Sequence, residues 1–195
     1  MKLIVGLGNP GREYEHSRHN AGFDVMSILS AKTGIPIKKI RCKSLVGEGV
    51  IDGCKVALAL PQTFMNLSGE AVVALMQWYK VGPEDTLIIL DDIDLELSRL
   101  RIRAGGSAGT HNGMRNILYL TGSDRFPRIR IGVGAPPAEW DLKDWVLSSF
   151  HTAEERQKMY DAYCRAADAA VFFAANPIDL VMNRFNVRHP EDGKE

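Results

Sequence analysis

Long apolar runs are missing from this chain of 195 residues. The first stops at Gly6 and no later one approaches the roughly 20 residues of a membrane span, so neither a transmembrane helix nor a secretory leader is expected. Cysteine is scarce. Cys42, Cys54 and Cys164 are odd in number, widely separated and without a C-x-x-C pair, which leaves no basis for a disulfide framework or a zinc site and fits a reducing cytoplasm. Net charge is also absent: 24 basic and 24 acidic residues cancel. That excludes a uniformly basic coat for nucleic acid but not a local basic surface. Repeats, linkers and low-complexity stretches are lacking too. With 45% hydrophobic and 25% charged residues the chain reads as one globular domain over residues 1–187, followed by a polar tail at 188–195.

What is present alternates β-like and helical segments, which predicts an α/β fold. Residues 2–7 (KLIVGL) form an inner strand, apolar on both faces. The segment from Ala21 spaces Phe23, Met26, Ile28 and Leu29 as a helix and stops at Gly34. Two apolar runs flanking Gly53 predict a hairpin. Ser68 is expected to cap a helix that carries Val72, Val73, Met76 and Tyr79 and closes at Gly82 and Pro83. "DTLIILDDIDL" is a strand running into carboxylates at its carboxyl end, where open α/β sheets place their chemistry. "RLRIRAGG" alternates as a half-exposed strand, a helix follows from about Gly113 to Leu120, and "RIRIGVG" is a further strand. "APPAEWD" reads as a loop. Thr152 and Glu155 make a capping box for a helix to about Ala175, and a last helix follows Asn176 and Pro177.

Two motifs suggest chemistry that their context rejects. Gly6, Gly8 and Gly11 have the G-x-G-x-x-G spacing of a dinucleotide loop, in which the third glycine opens a helix whose free N–H groups hold the pyrophosphate. Here Pro10 and Gly11 signal a turn, and no amphipathic helix can start before about Ala21. The acidic residue required further on is missing as well. No nicotinamide cofactor is expected, and the glycines are read as a sharp turn bringing Asn9 to the mouth of the sheet. Gly105, Ser107 and Gly109 match the G-x-S-x-G elbow of serine hydrolases, with Asp141 or Asp144 and then His151 in triad order. The strand before Ser107 bears Arg99, Arg101 and Arg103 on one face, unlike the buried strand of an elbow. The preferred reading is a Gly/Ser hinge able to meet an anion, with a Ser107 esterase as the alternative.

Zero net charge hides a polarised chain. From Arg99 to Arg130 there are seven arginines (Arg99, Arg101, Arg103, Arg115, Arg125, Arg128, Arg130) against one acid, Asp124, whereas Glu84 to Glu96 holds six acids and no base. Lys38, Lys39, Arg41 and Lys43 form a further basic cluster. An arginine strip beside a Gly-rich loop suits phosphates. His19 in "SRHNAG" can accept a proton near neutral pH, and Asp91 at the end of its strand can fix the imidazole tautomer if the fold unites them. Asn9, Asn66 and Asn112 offer amide donors to a carbonyl or a water. Tyr14, Phe64 and Met65 supply apolar walls, core packing being the simpler account of the last two.

"GLGNPG", "SRHNAG", "PQTFMNLSG", "LDDIDL" and "GSAGTHNGMRNI", in that order over residues 6–117, resemble bacterial peptidyl-tRNA hydrolase, and "RIRIGVG" and the helical tail extend the likeness over nearly the whole chain. The resemblance implies a single α/β globule with a twisted mixed sheet, monomeric and cytoplasmic. It implies hydrolysis of the ester between peptide and tRNA, in translation and ribosome rescue, with no metal or organic cofactor. By motif, His19 is then the base that activates water, Asp91 its partner, and Asn9 the residue that orders the site. Tyr14, Phe64, Met65, Asn66, His111 and Asn112 become contacts for the peptidyl and 3′-terminal parts, and Arg103 and Arg130 the clamp for the 5′ phosphate region. A non-catalytic RNA-binding relative is an alternative. Leu90, where a histidine is common, and Thr110, where glycine is common, depart from the pattern.

Overall fold

The computed structural model describes residues 1–186, so the polar tail expected at 188–195 lies outside the described residues. The apolar runs become seven strands, β1 (Lys2–Gly6), β2 (Lys39–Arg41), β3 (Ser44–Ile51), β4 (Cys54–Pro61), β5 (Thr86–Asp92), β6 (Leu100–Arg103) and β7 (Arg128–Gly132). They form one sheet in the order β2-β3-β4-β1-β5-β7-β6. The centre, β4-β1-β5-β7, is parallel, while β2-β3, β3-β4 and β6-β7 are antiparallel. The helices of the described residues are α1 (Ala21–Thr33), α2 (Ser68–Tyr79), α3 (Asn112–Thr121), α4 (Leu142–Leu147), α5 (Ala153–Ala175) and α6 (Ile178–Phe185).

Alternation along the strands divides the core between the two faces of the sheet. Ile4, Leu58, Leu87 and Ile89 pack with Val25, Met26 and Leu29 of α1 and with the alanine-rich stripe of α5. Leu3, Val5, Ile88 and Leu90 pack with Val72 and Leu75 of α2 and Met114 and Ile117 of α3. Each such side chain contributes about 1.5–3 kcal/mol when fully buried. Covering both faces is why β1 and β5 read as unbroken apolar runs. Gly6 and Gly22 allow the first turn of α1 to lie on the sheet: a Cβ on Gly22 would stand 2.4 Å from the Leu7 nitrogen, and one on Gly6 2.3 Å from the Gly22 oxygen. The opening glycine thus serves helix–strand contact, and α1 starts at Ala21 as the composition requires.

Two local expectations need correction, and two short elements were not expected. Ser68 does not cap α2; its hydroxyl donates to the Met65 carbonyl, and the free Gly69 N–H is met by Asn116 Oδ1 of α3 at 2.7 Å. Helix α2 ends at Lys80, which itself takes the left-handed conformation, two residues before Gly82. β2 pairs across a tight turn at Cys42 and Lys43, both at positive φ, a three-residue strand too short to leave a periodic signal. The loop expected from "APPAEWD" is a loop, and it leads into the unexpected helix α4, whose N-terminus is capped by Asp141 accepting from the Lys143 N–H. At the far edge of the sheet, the Asn186 amide bonds both N–H and C=O of Ile102 and closes β6 against further pairing.

Candidate active site

The parallel strands deliver their carboxyl ends to one edge of the sheet. There the loop after β1 carries Asn9, the segment before α1 carries His19, and β5 ends in Asp91 and Asp92. Together with the turn after β4, the N-terminus of α3 and one face of α4, they enclose a cleft of about 590 Å³. Asn9, Tyr14, His19, Phe64, Met65, Asn66, Asp91, His111, Asn112 and Arg130, all singled out from the sequence, line it, as do Leu90 and Thr110. Arg103 does not, being exposed on β6.

His19 and Asp91, far apart in sequence, meet at the centre. Nδ1 of His19 lies 2.9 and 3.0 Å from the two carboxylate oxygens. A carboxylate only accepts, so the proton of neutral His19 sits on Nδ1 and its lone pair on Nε2. Asp91 is 3% exposed. Such burial would raise a carboxyl pKa, yet the charges and hydrogen bonds of His19 and His111 hold Asp91 well below the usual carboxylate range. For His19 burial works to lower the pKa, and Asp91 overrides it, leaving the imidazole above its ordinary value.

His111 stands where a substrate contact was expected, but both of its nitrogens are engaged within the protein. Nδ1 caps α3 by accepting from the Met114 N–H at 3.2 Å, which fixes the proton on Nε2, and Nε2 donates to Asp91 Oδ1 at 3.0 Å. The residue borders the cleft with its ring centroid 4.9 Å from that of His19. His19, Asp91 and His111 have the composition of a metal site, with ligand atoms within 4.8 Å of one another. A cation there would have to displace the two imidazole protons that now bind Asp91.

Asn9 is held on three sides. Its N–H donates to Asn20 Oδ1 at 2.8 Å, its carbonyl accepts from Asn20 Nδ2 at 3.0 Å, and its Oδ1 accepts from the Met65 N–H at 2.8 Å. The last bond orients the amide and leaves its NH2 as the donor available to the cleft. Asn20 was not anticipated, although an asparagine between a candidate base and a helix start was a visible signal. Tyr14 and Phe64 form an edge-to-face pair at 6.4 Å. Phe64 is 55% exposed, which overturns core packing as its role, whereas Met65 is buried and belongs to the core as well as to the cleft wall. Leu142, Lys143, Val146 and Leu147 of α4 complete the wall. They were missed with their helix, although Asp141 and the apolar spacing after it carried the signal.

The arginine strip is less free than its count implied, because β5 lies beside β7 and the acidic stretch folds against the basic one. Arg130 Nε pairs with Asp92, Arg125 with Glu84 and Arg99 with Glu96. Arg128 is buried and donates to the carbonyls of Phe126, Ser107 and Asp124. Burial, then the charge of Arg130, pushes it down to about 10. Among the described residues Arg101 and Arg103 carry no ion pair. In the second basic cluster, Lys39 and Arg41 share Glu48, and Lys43 meets Glu70. The serine-hydrolase elements do not assemble. Ser107 is exposed with no hydrogen bond from its hydroxyl among the described residues, Asp141 caps α4, and the His151 ring packs on Trp140.

The model of a family described as peptidyl-tRNA hydrolase matches residues 3–193. Peptidyl-tRNA hydrolase of Chloroflexus aggregans is 49% identical over 187 residues, 95% of this chain and 99% of that protein. The protein of the same name from Agathobacter rectalis is 50% identical over 187 residues, 95% of this chain and all of its own. A crystal structure of peptidyl-tRNA hydrolase from Acinetobacter baumannii superposes with a TM-score of 0.91 at 37% identity, covering 97% of this chain and 96% of that one. Among the described residues no helix is long and apolar enough to cross a membrane.

Proposed function

Since the chain belongs to the peptidyl-tRNA hydrolase family, an enzyme family acting on the ester of peptidyl-tRNA, we propose that His19 is the general base of that hydrolysis and Asp91 the residue that holds it ready. Neutral His19 takes a proton on Nε2 from a water molecule as the water oxygen attacks the ester carbonyl. The NH2 group of Asn9 donates to the carbonyl oxygen as negative charge develops there. Collapse of the tetrahedral intermediate expels the ribose oxygen, which receives the proton from His19. The peptide leaves as its acid and tRNA is free. No covalent enzyme intermediate is formed.

The observation that carries this reading is the pair of hydrogen bonds from His19 Nδ1 to Asp91, because they fix the tautomer and stabilise the imidazolium formed in the step. Tyr14, Phe64, Met65, Asn66 and Asn112 surround the acyl group and the 3′ end of tRNA, and His111 supports Asp91. Arg103 and Arg130 grip the 5′ phosphate region, Arg130 exchanging Asp92 for a phosphate oxygen. The protein acts as a cytoplasmic monomer, with residues 1–187 forming one unit. Hydrolysis of an N-blocked aminoacyl-tRNA tests the assignment. His19→Ala should lower turnover by about 10² to 10⁴ while tRNA binding persists, and turnover at the parental level would exclude His19 as the base.

A further inference from the structure

Arg18, beside the proposed base, has an environment that the mechanism does not explain. It is 1% exposed, yet among the described residues no carboxylate bonds to it. Its NH1 donates to Ser148 Oγ at 2.7 Å and to the Ser149 carbonyl at 2.6 Å, its backbone N–H donates to the Ser148 carbonyl at 3.0 Å, and Nε is buried without a partner. The guanidinium lies 3.7 Å from the ring centroid of Trp145 and 4.7 Å from that of Phe150. Glu155 supports its charge across space but is bonded to the N–H groups of His151 and Thr152.

Burying a charge is costly, and an apolar side chain of similar volume would avoid that cost, forgoing only the bonds to the Ser148 hydroxyl and the Ser149 carbonyl. Backbone contacts already join the two segments, since Ser17 and Ser149 form a β-bridge. The guanidinium adds something they do not, a contact over the ring of Trp145 on α4 itself. Trp145 is tied in turn to the exit of β7, its Nε1 donating to the Gly134 carbonyl at 2.9 Å. The opposite side of α4 presents Leu142, Lys143, Val146 and Leu147 to the cleft. One side chain therefore spans from the wall that faces substrate to the residue preceding His19.

We infer that Arg18 is a positioning residue, which through its stack on Trp145 fixes the distance between the α4 wall of the cleft and the His19 imidazole. Substrate seated against α4 is thereby held in register with the base. The planar fork is required, because it stacks and donates at once, and an ammonium cannot do both.

The test uses the full-length protein and N-blocked aminoacyl-tRNA. Arg18→Met should stay folded with at most a modest fall in melting temperature, keep KM within about threefold and lower kcat by about 10- to 100-fold, the scale of a misplacement on the order of 1 Å. Arg18→Lys should not restore kcat. Trp145→Leu should lose kcat to the same extent, and the double variant should be no slower than the slower single one. Parental kcat in Arg18→Met, full rescue by lysine, or losses that multiply in the double variant would overturn the inference. If Arg18→Met does not fold, Trp145→Leu decides alone, since it leaves Arg18 in place; a parental kcat there overturns the coupling. The inference rests on His19 as the base, so His19→Ala is assayed in parallel. An active His19→Ala removes the site reading itself, whereas an inactive one beside a parental Arg18→Met removes only the role of Arg18.

Discussion

Replacing Asp91 by asparagine changes one oxygen for an NH2 group and leaves the shape of the site almost unaltered. His111 decides which way the new amide faces. Its Nδ1 accepts from the Met114 N–H, so its own proton is on Nε2, directed at Asp91 Oδ1 at 3.0 Å. The amide oxygen must therefore remain at that position, which places the NH2 where Oδ2 was, 3.0 Å from His19 Nδ1. There it opposes the Nδ1 proton of His19, which keeps only its 2.9 Å bond to the oxygen at Oδ1, an acceptor it shares with His111. Accepting from that NH2 with Nδ1 relieves the opposition and moves the proton to Nε2, and the nitrogen needed to take a proton from water is then occupied. Loss of the correct tautomer costs about 10⁴ in turnover, equivalent to about 5 kcal/mol of transition-state stabilisation. In single-turnover hydrolysis of N-blocked aminoacyl-tRNA, Asp91→Asn should fall by roughly 10³ to 10⁴ with little change in KM. Nitrogen-15 NMR of the His19 ring should show the proton moving from Nδ1 to Nε2. Turnover within about tenfold of the parent, or an imidazole still protonated at Nδ1, would refute the tautomer argument.

Activity should rise with pH through a midpoint above the ordinary imidazole value of 6.5, since burial lowers the His19 pKa but Asp91 more than offsets it; a kcat/KM profile already level at about pH 6 would contradict this. The same shifts act on stability. The raised His19 pKa contributes fully below about 6.5 and is lost as pH rises through the folded value, whereas the lowered Asp91 pKa contributes above about 4 and is lost as pH falls. Melting scans against pH should show both limbs diminished in Asp91→Asn. Arg128→Ala should destabilise by about 2–4 kcal/mol, because the Phe126 carbonyl in a buried bond and the Ser107 and Asp124 carbonyls in half-buried ones lose a charged donor, and should leave the salt dependence of tRNA binding intact. Arg103→Glu should do the reverse, melting as the parent does while flattening the slope of log affinity against log salt by about 1; an unchanged slope would remove Arg103 from the tRNA contact.

The difference between Arg128 and Arg103 shows what the sequence can convey and what it cannot. Both belong to one run of seven arginines, and alternation places each on a strand. Their opposite fates come from strand order: β7 lies between β5 and β6, so Arg128 is roofed by the two loops that carry Ser107 and Asp124, before and after α3, while Arg103 on the edge strand keeps its side chain in water. Strand order is non-local, and no window of sequence contains it. His19 and Asp91 were readable as residue types because a histidine before a helix start and a carboxylate ending an apolar strand are local patterns. Their contact depends on β1 and β5 pairing in parallel, with Gly6 opposite Ile89, so that the chain leaving one strand passes the end of the other. The surroundings of Arg18, on which the sequence prompted no reading, and of His111, expected as a substrate contact, are hidden for a related reason. Each looks like a surface ligand from its neighbours alone, and each is buried by an element brought from afar: Arg18 by Trp145 and Phe150, His111 by Asp91. In this fold the residue types that carry chemistry are locally encoded, and the burial that sets their charge, tautomer and reach is decided by the order in which the strands assemble.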